Sequence, residues 1–90
     1  MEEQDFGWAL KALKRGQAIQ RQGWNGKGMF VYHVPAASYP PQTQIAVKAF
    51  NGGPVPYGAY LAIKTAQNNI NTWVPSVSDV LADDWQIANI

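Results

Sequence analysis

The sequence predicts an α+β fold: a small antiparallel β-sheet with an N-terminal α-helix packed on it and short additional helices. Three observations predict it. One helical apolar period covers residues 5–15 and stops at Gly16. Short alternating or apolar segments follow, each cut off by glycine, proline or asparagine. Two of these segments flank Gln67-Asn68-Asn69, a turn that makes them partners in a hairpin.

In the first helix, Phe6, Ala9, Leu10 and Leu13 fall at i, i+3, i+4 and i+7 and share one face. Asp5 is placed to cap the free amides of the first turn, and Lys11, Lys14 and Arg15 complement the dipole at the far end. Gly16 supplies the left-handed residue that commonly stops a helix. Residues 17–22 alternate as a short, mostly polar strand. Residues 23–28 carry three glycines in six positions and form a tight loop. Residues 29–34 read as a buried strand ended by Pro35. Residues 36–58 contain Pro40, Pro41, Pro54 and Pro56 and read as a long connection. It holds one short helix at about residues 42–50, where Ile45, Ala46 and Ala49 share a face. A long ordered connection in so small a domain is usually functional or an interface element. Residues 59–65 form the best strand, with Ala59, Leu61 and Ile63 on one face and Tyr60, Ala62 and Lys64 on the other. Asparagine tolerates positive φ at the turn that follows, and residues 70–74 return as a strand closed by Pro75. Ser76 and Asp79 have capping-box spacing and open a helix of one to two turns that ends near Asp83. Residues 84–88 form the last strand.

Ninety residues allow one domain whose lone core would be marginal. Small domains usually add disulfides, a structural metal or self-association. With no cysteine and one histidine, His33, the first two are excluded as thiolate or multi-histidine devices. Oligomerisation remains, and the composition favours it: 47% of residues are hydrophobic, four are tryptophan and only 14% are charged. A net charge of +1 is too balanced for gripping duplex nucleic acid, although it leaves room for a small anionic ligand. No run is long and apolar enough for a membrane span. The acidic start, Glu2-Glu3-Gln4-Asp5, is the opposite of a signal peptide, so an intracellular protein is expected.

Enzyme templates fail. Ser38, Ser76 and Ser78 have only His33 as a possible base, and the glycines of residues 23–28 lack phosphate-loop spacing. Asp79, Asp83 and Asp84 form either an acid–base or metal cluster, or caps and solvated surface. No cofactor is expected. Ligand binding fares better. Trp24-Asn25-Gly26-Lys27-Gly28 joins a flat aromatic, an amide, a cation and backbone amides that can converge on a phosphate. Trp73 stands just before the helix start at Ser76, and Asp79 suits a pair of ribose hydroxyls. The plainer alternative makes Trp24 and Trp73 core residues and the glycines a turn. Trp8 and Trp85 read as core or interface, and Tyr39, Tyr57 and Tyr60 flank the proline-rich connection as a contact surface.

These segments also carry a resemblance. Phe6-Gly7-Trp8-Ala9-Leu10, Leu13-Lys14-Arg15-Gly16 and Arg21-Gln22-Gly23-Trp24-Asn25-Gly26-Lys27-Gly28-Met29 resemble the opening of a family of small phage and prophage proteins. Tyr60-Leu61-Ala62-Ile63-Lys64-Thr65-Ala66, Trp73-Val74-Pro75-Ser76 and Ser78-Asp79-Val80-Leu81-Ala82-Asp83-Asp84-Trp85 are similar to its second half. The family is the Thoeris anti-defence family of the second type. The resemblance spans nearly the whole chain and is weakest over residues 36–58; Gln67-Asn68-Asn69 departs from an expected Asp-Gly turn.

The resemblance implies a sponge: a homotetramer that sequesters a cyclic ADP-ribose-type immune signal without degrading it. It also implies a second ligand class, cyclic di- or trinucleotides, for some members at a separate site. Pockets at subunit interfaces are implied, with Trp24, Asn25, Lys27, Trp73, Ser78 and Asp79 as ligand-binding residues and Arg21 and Thr65 as further ones. The expected setting is the cytoplasm of an infected bacterial cell. Two other readings compete. One is a protein–protein inhibitor or structural oligomer; the other is a nucleotide-signal hydrolase using Asp79 or Asp83 with a metal.

Overall fold

The apolar period of the N-terminal segment becomes α1 (Phe6–Lys14) in the computed structural model, which describes residues 4–24 and 28–90. The Asp5 carboxylate accepts a hydrogen bond from the Trp8 N–H at 2.9 Å, as an N-cap must. At the other end Gly16 takes φ +86°. The N–H groups of Gly16 and Gln17 then reach the Leu13 and Ala12 carbonyls at 2.9 and 3.0 Å. That pair of bonds is a Schellman closure. Ala9, Ala12 and Leu13 are fully buried on the face turned to the sheet.

The chain continues through β1 (Ile19–Arg21), β2 (Phe30–Val34), β3 (Ala37–Tyr39), α2 (Gln44–Ala49), β4 (Val55–Tyr57), β5 (Tyr60–Lys64), β6 (Ile70–Thr72), α3 (Val77–Val80) and β7 (Trp85–Ile87). Five of the strands form one antiparallel sheet in the order β6-β5-β2-β1-β7. The fold is therefore α+β, as the sequence predicts. Register places Ile19 opposite Val31, and Val31 opposite Ile63, in one apolar row beneath α1. Ile19, Val31 and Trp85 complete the buried core with the three α1 residues. Burying such a side chain contributes roughly 1.5–3 kcal/mol. On the opposite face Ala18, Phe30, Tyr32, Ile70 and Ile90 line a concavity of about 300 Å³.

Several element boundaries tighten. The first strand begins at Ile19 rather than Gln17, because Gln17 donates its N–H to the helix closure. The helix after Ser76 is one turn, capped at Leu81 and not carried to Asp83. The β5–β6 turn has Asn68 at φ +66°, the positive φ that asparagine was expected to absorb.

The long connection is the larger difference. Its helix is present but shorter, spanning Gln44–Ala49 behind a Thr43 cap. Around it, β3 and β4 pair as a separate two-stranded ribbon, Ala37 to Tyr57, Ser38 to Pro56 and Tyr39 to Val55. Pro56 hides this ribbon in the sequence, since proline cannot donate to a ladder; a two-stranded ribbon leaves one side of each strand free to accommodate it. Ribbon and helix lengthen the molecule to 54 × 26 × 24 Å, with a radius of gyration of 15.8 Å. A compact chain of this length has ~12 Å. Tyr39, Ile45, Val47, Phe50 and Tyr57 are exposed on this arm.

Candidate functional site

Trp85 is fully buried and is the centre of an aromatic cluster. Trp24 meets it edge-on at 5.6 Å between ring centroids and 81° between planes. Trp73 meets it at 6.1 Å and 83°, and Phe6 at 5.8 Å and 61°. Edge-to-face geometry sets the positive ring edge against the negative face and adds about 0.5–1.5 kcal/mol per pair beyond burial. Three elements make this arrangement: α1 brings Phe6, the start of the β1–β2 connection brings Trp24, and the end of β6 brings Trp73. Trp24 and Trp73 are half-buried, so part of each indole stays open to solvent. Both indoles pack against the hydrophobic core, as the plainer sequence alternative expects, and both remain partly exposed.

A polar node adjoins the aromatics. Arg21 Nε donates to Asp84 Oδ1 at 3.0 Å and Arg21 Nη1 to Asp79 Oδ1 at 3.2 Å. The bond to Asp84 is the main reason the guanidinium titrates above its usual range; burial opposes the shift and Asp79 reinforces it. Asp79 is engaged on both oxygens, because its Oδ2 accepts the Ser76 N–H at 3.0 Å while Ser76 Oγ accepts the Asp79 N–H at 3.1 Å. This reciprocal pair is the capping box read from the sequence. Trp85 Nε1 donates to the Asp79 carbonyl at 3.0 Å, which ties the node to the aromatic cluster.

Arg21, Trp24, Trp73 and Asp79 are thus brought together around Trp85. Asn25 and Lys27 lie outside the described residues. Ser78 is exposed on α3, one turn position from a cap that Ser76 makes. Thr65 organises the β5–β6 turn: its hydroxyl bonds the Asn69 side-chain oxygen and accepts the Gln67 and Asn69 N–H groups at 3.3 and 3.4 Å. Phe6, Asp84 and Trp85 are the members that sequence reading left out of the site. Their signal was the adjacency of Asp84 and Trp85, since neighbours in an extended segment point to opposite sides and can serve node and core at once. Asp83 is exposed beside them. Among the described residues, no group of three His, Asp or Glu side chains is placed to hold a metal ion. No helix there is long and apolar enough to cross a membrane.

A second aromatic surface lies on the arm, where Tyr39, Pro40, Gln42, Tyr57 and Tyr60 line a concavity of about 290 Å³. Tyr39 and Tyr57 pack edge-on across the ribbon at 5.7 Å.

Comparison with known proteins agrees with the resemblance of the motifs. A family model described as Tad2-like, Thoeris anti-defense 2-like domain, matches residues 4–88. Thoeris anti-defense 2 of Bacillus phage SP01 is 42% identical over 84 residues, covering 93% of each chain. The match runs through the arm, where the motif resemblance was weakest, as well as through both tryptophan-bearing segments. The chain belongs to the Tad2-like family of Thoeris anti-defense 2 domains.

Proposed function

We propose that this chain is an anti-defence sponge, which binds a cyclic ADP-ribose-type signal tightly and holds it without chemical change. The observation that carries the reading is the pair of half-buried indoles, Trp24 and Trp73, packed edge-on against Trp85 beside the Arg21–Asp79–Asp84 node. Family membership supports it. A sponge works by equilibrium alone, and nanomolar capture needs about −12 kcal/mol. Stacking contributes ~1–3 kcal/mol per base, and a ringed dinucleotide has little conformational freedom left to lose. Arg21 is outnumbered by two carboxylates, so the diphosphate draws its cation from outside the node. Asp79, with both oxygens already accepting, offers its remaining lone pairs to ribose hydroxyls.

The active unit in this reading is a homotetramer in the cytoplasm of the infected bacterium, and its arms supply intersubunit contacts through Ile45, Phe50 and the tyrosines. Cyclic di- or trinucleotides form a second ligand class. The test is to incubate the protein with cyclic ADP-ribose, its cyclic isomers and a panel of cyclic di- and trinucleotides, then record native mass spectra and assay what heat denaturation releases. Release of intact signal from a tetramer is expected. Recovery of a linearised product would mean a hydrolase and overturn the sponge.

One observation favours a second reading, a protein–protein inhibitor or structural oligomer. Val74, Val77 and Leu81, in and flanking α3, are 85%, 76% and 73% exposed, apolar side chains that a protein partner would cover. That reading expects no nucleotide in the native mass spectra and no rise in melting temperature with any member of the panel.

A further inference from the structure

We infer that Asp84 is a positioning residue for the tryptophan-walled site: its side chain and backbone together fix where β1 ends and how Trp24 leaves it. The inference rests on the ligand-binding reading above for its consequence, and on geometry alone for its mechanism. Asp84 makes two bonds to consecutive residues. Its Oδ1 accepts from Arg21 Nε at 3.0 Å, and its backbone oxygen accepts the Gln22 N–H at 3.1 Å. The Arg21 carbonyl in turn accepts the Trp24 N–H at 3.3 Å. The residue after Asp84 is Trp85, on whose ring Trp24 packs.

The chain entering the β1–β2 connection is therefore held on its backbone by Asp84 and on its first aromatic by Trp85. The side-chain bond adds orientation. With Nε fixed on Asp84, the guanidinium fork turns Nη1 toward Asp79, so a single arginine joins β1 to both α3 and the approach to β7. An arginine freed from Asp84 would keep Asp79 as a partner but lose the second point that defines its plane. Two carboxylates facing one guanidinium also leave the node with excess negative charge, which disfavours phosphate here and favours hydroxyl or amino donors. Asp84 thus selects which part of a ligand faces this end of the site.

The experiment uses the full chain and three variants, Asp84→Asn, Asp84→Glu and Asp5→Ala. Three quantities are read: the NMR signals of the Arg21 Nε–H and the Trp24 indole N–H, the melting temperature, and the affinity for cyclic ADP-ribose by calorimetry. Asp84→Asn is expected to broaden or shift both signals and to weaken binding about tenfold; Asp84→Glu should recover part of each. Asp5→Ala removes the α1 cap, lowers the melting temperature, and should leave both signals and the affinity unchanged. Unaltered Arg21 and Trp24 signals in Asp84→Asn would overturn the positioning role, whatever the ligand. Equal loss of affinity in Asp5→Ala and Asp84→Asn would overturn it too, since general destabilisation would then suffice. If the wild type binds no cyclic ADP-ribose while Asp84→Asn still moves both signals, the positioning stands and the sponge reading falls.

Discussion

The indole N–H of Trp85 donates to the backbone carbonyl of Asp79 at 3.0 Å, so the buried floor of the aromatic cluster and the capping box of α3 are one unit. A change to either should be felt by the other. Trp85→Phe keeps an aromatic in the core but removes that donor and part of the buried area. The lost hydrogen bond is worth about 1 kcal/mol, and lost packing adds to it. A domain of this size shifts by roughly 4–8 °C per kcal/mol, so a melting temperature lower by about that amount or more is expected. Trp85→Ala, which opens a cavity, should cost about 3–5 kcal/mol and leave little folded protein. Near-ultraviolet circular dichroism during heating measures both. An unchanged melting temperature in Trp85→Phe would contradict the coupling.

Trp24 and Trp73 both pack edge-on against the same ring, yet they are half-buried where Trp85 is fully buried. Truncation should therefore lower stability by less than the loss of Trp85 does, and lower binding with it. Trp24→Ala and Trp73→Ala are each expected to weaken binding of cyclic ADP-ribose by about 5- to 150-fold, the equivalent of one lost stack. Trp24→Phe and Trp73→Phe should recover part of that loss. Quenching of tryptophan fluorescence on titration gives the affinities directly. Full affinity in both alanine variants would remove stacking from the account.

Asp79 and Ser78 are neighbours in sequence with opposite surroundings. Asp79 accepts from Arg21 and from the Ser76 N–H, whereas Ser78 is exposed on α3. Asp79→Asn is therefore expected to lower stability and binding together. Ser78→Ala should shift the melting temperature by less than about 2–4 °C, because an exposed substitution usually changes stability by less than ~0.5 kcal/mol. Any loss of affinity in Ser78→Ala then reports ligand contact alone. Calorimetry and thermal denaturation on the same samples distinguish the two residues.

The arginine in this node makes a pH prediction of definite sign. Its pKa is raised, chiefly by the hydrogen bond to Asp84. A raised folded-state pKa contributes stability that is fully present below the unfolded value and is lost only as pH climbs through the folded one. For a guanidinium that window lies in strong alkali. The difference in melting temperature between the wild type and Arg21→Met should therefore stay constant between about pH 7 and pH 10. A difference that shrinks across this range would mean that another group controls the node.

How much of this was legible in the sequence depended on whether each feature was local. Asp5, Gly16 and the Ser76–Asp79 pair act over three or four residues, and each was read from spacing and found in place. Ile19, Val31 and Ile63 were apolar in strand-like segments, which was enough to assign them to a sheet. The site was harder. Trp24, Trp73 and Asp79 were singled out by type, but Arg21 meets Asp79 and Asp84 across 58 and 63 residues of sequence. No local period encodes such a meeting. Thr65 drew notice for its motif position, yet its hydroxyl bonds serve the turn that follows it. The β3–β4 ribbon was illegible for a third reason: Pro56 breaks the donor pattern on which strand recognition rests.

That ribbon leads to the last prediction. Ile45 is 81% exposed on α2, and Phe50, Tyr39 and Tyr57 add exposed apolar surface elsewhere on the arm. Lys48 is the sole charged residue in residues 36–58, so charge contributes little to keeping the arm solvated in isolation. A stable association buries about 800 Å² per partner, and an arm carrying this many exposed apolar side chains can contribute a large share of that area. Ile45→Asp should therefore lower the assembly state, read as mass by light scattering after gel filtration. Because Ile45 makes no part of the core beneath α1, the melting temperature of the dissociated subunit should be set by that core. Ile45→Val, which keeps the apolar contact, should assemble as the wild type does. A wild type that is already monomeric at micromolar concentration would remove the arm from the interface and leave its exposed apolar surface to a different protein partner.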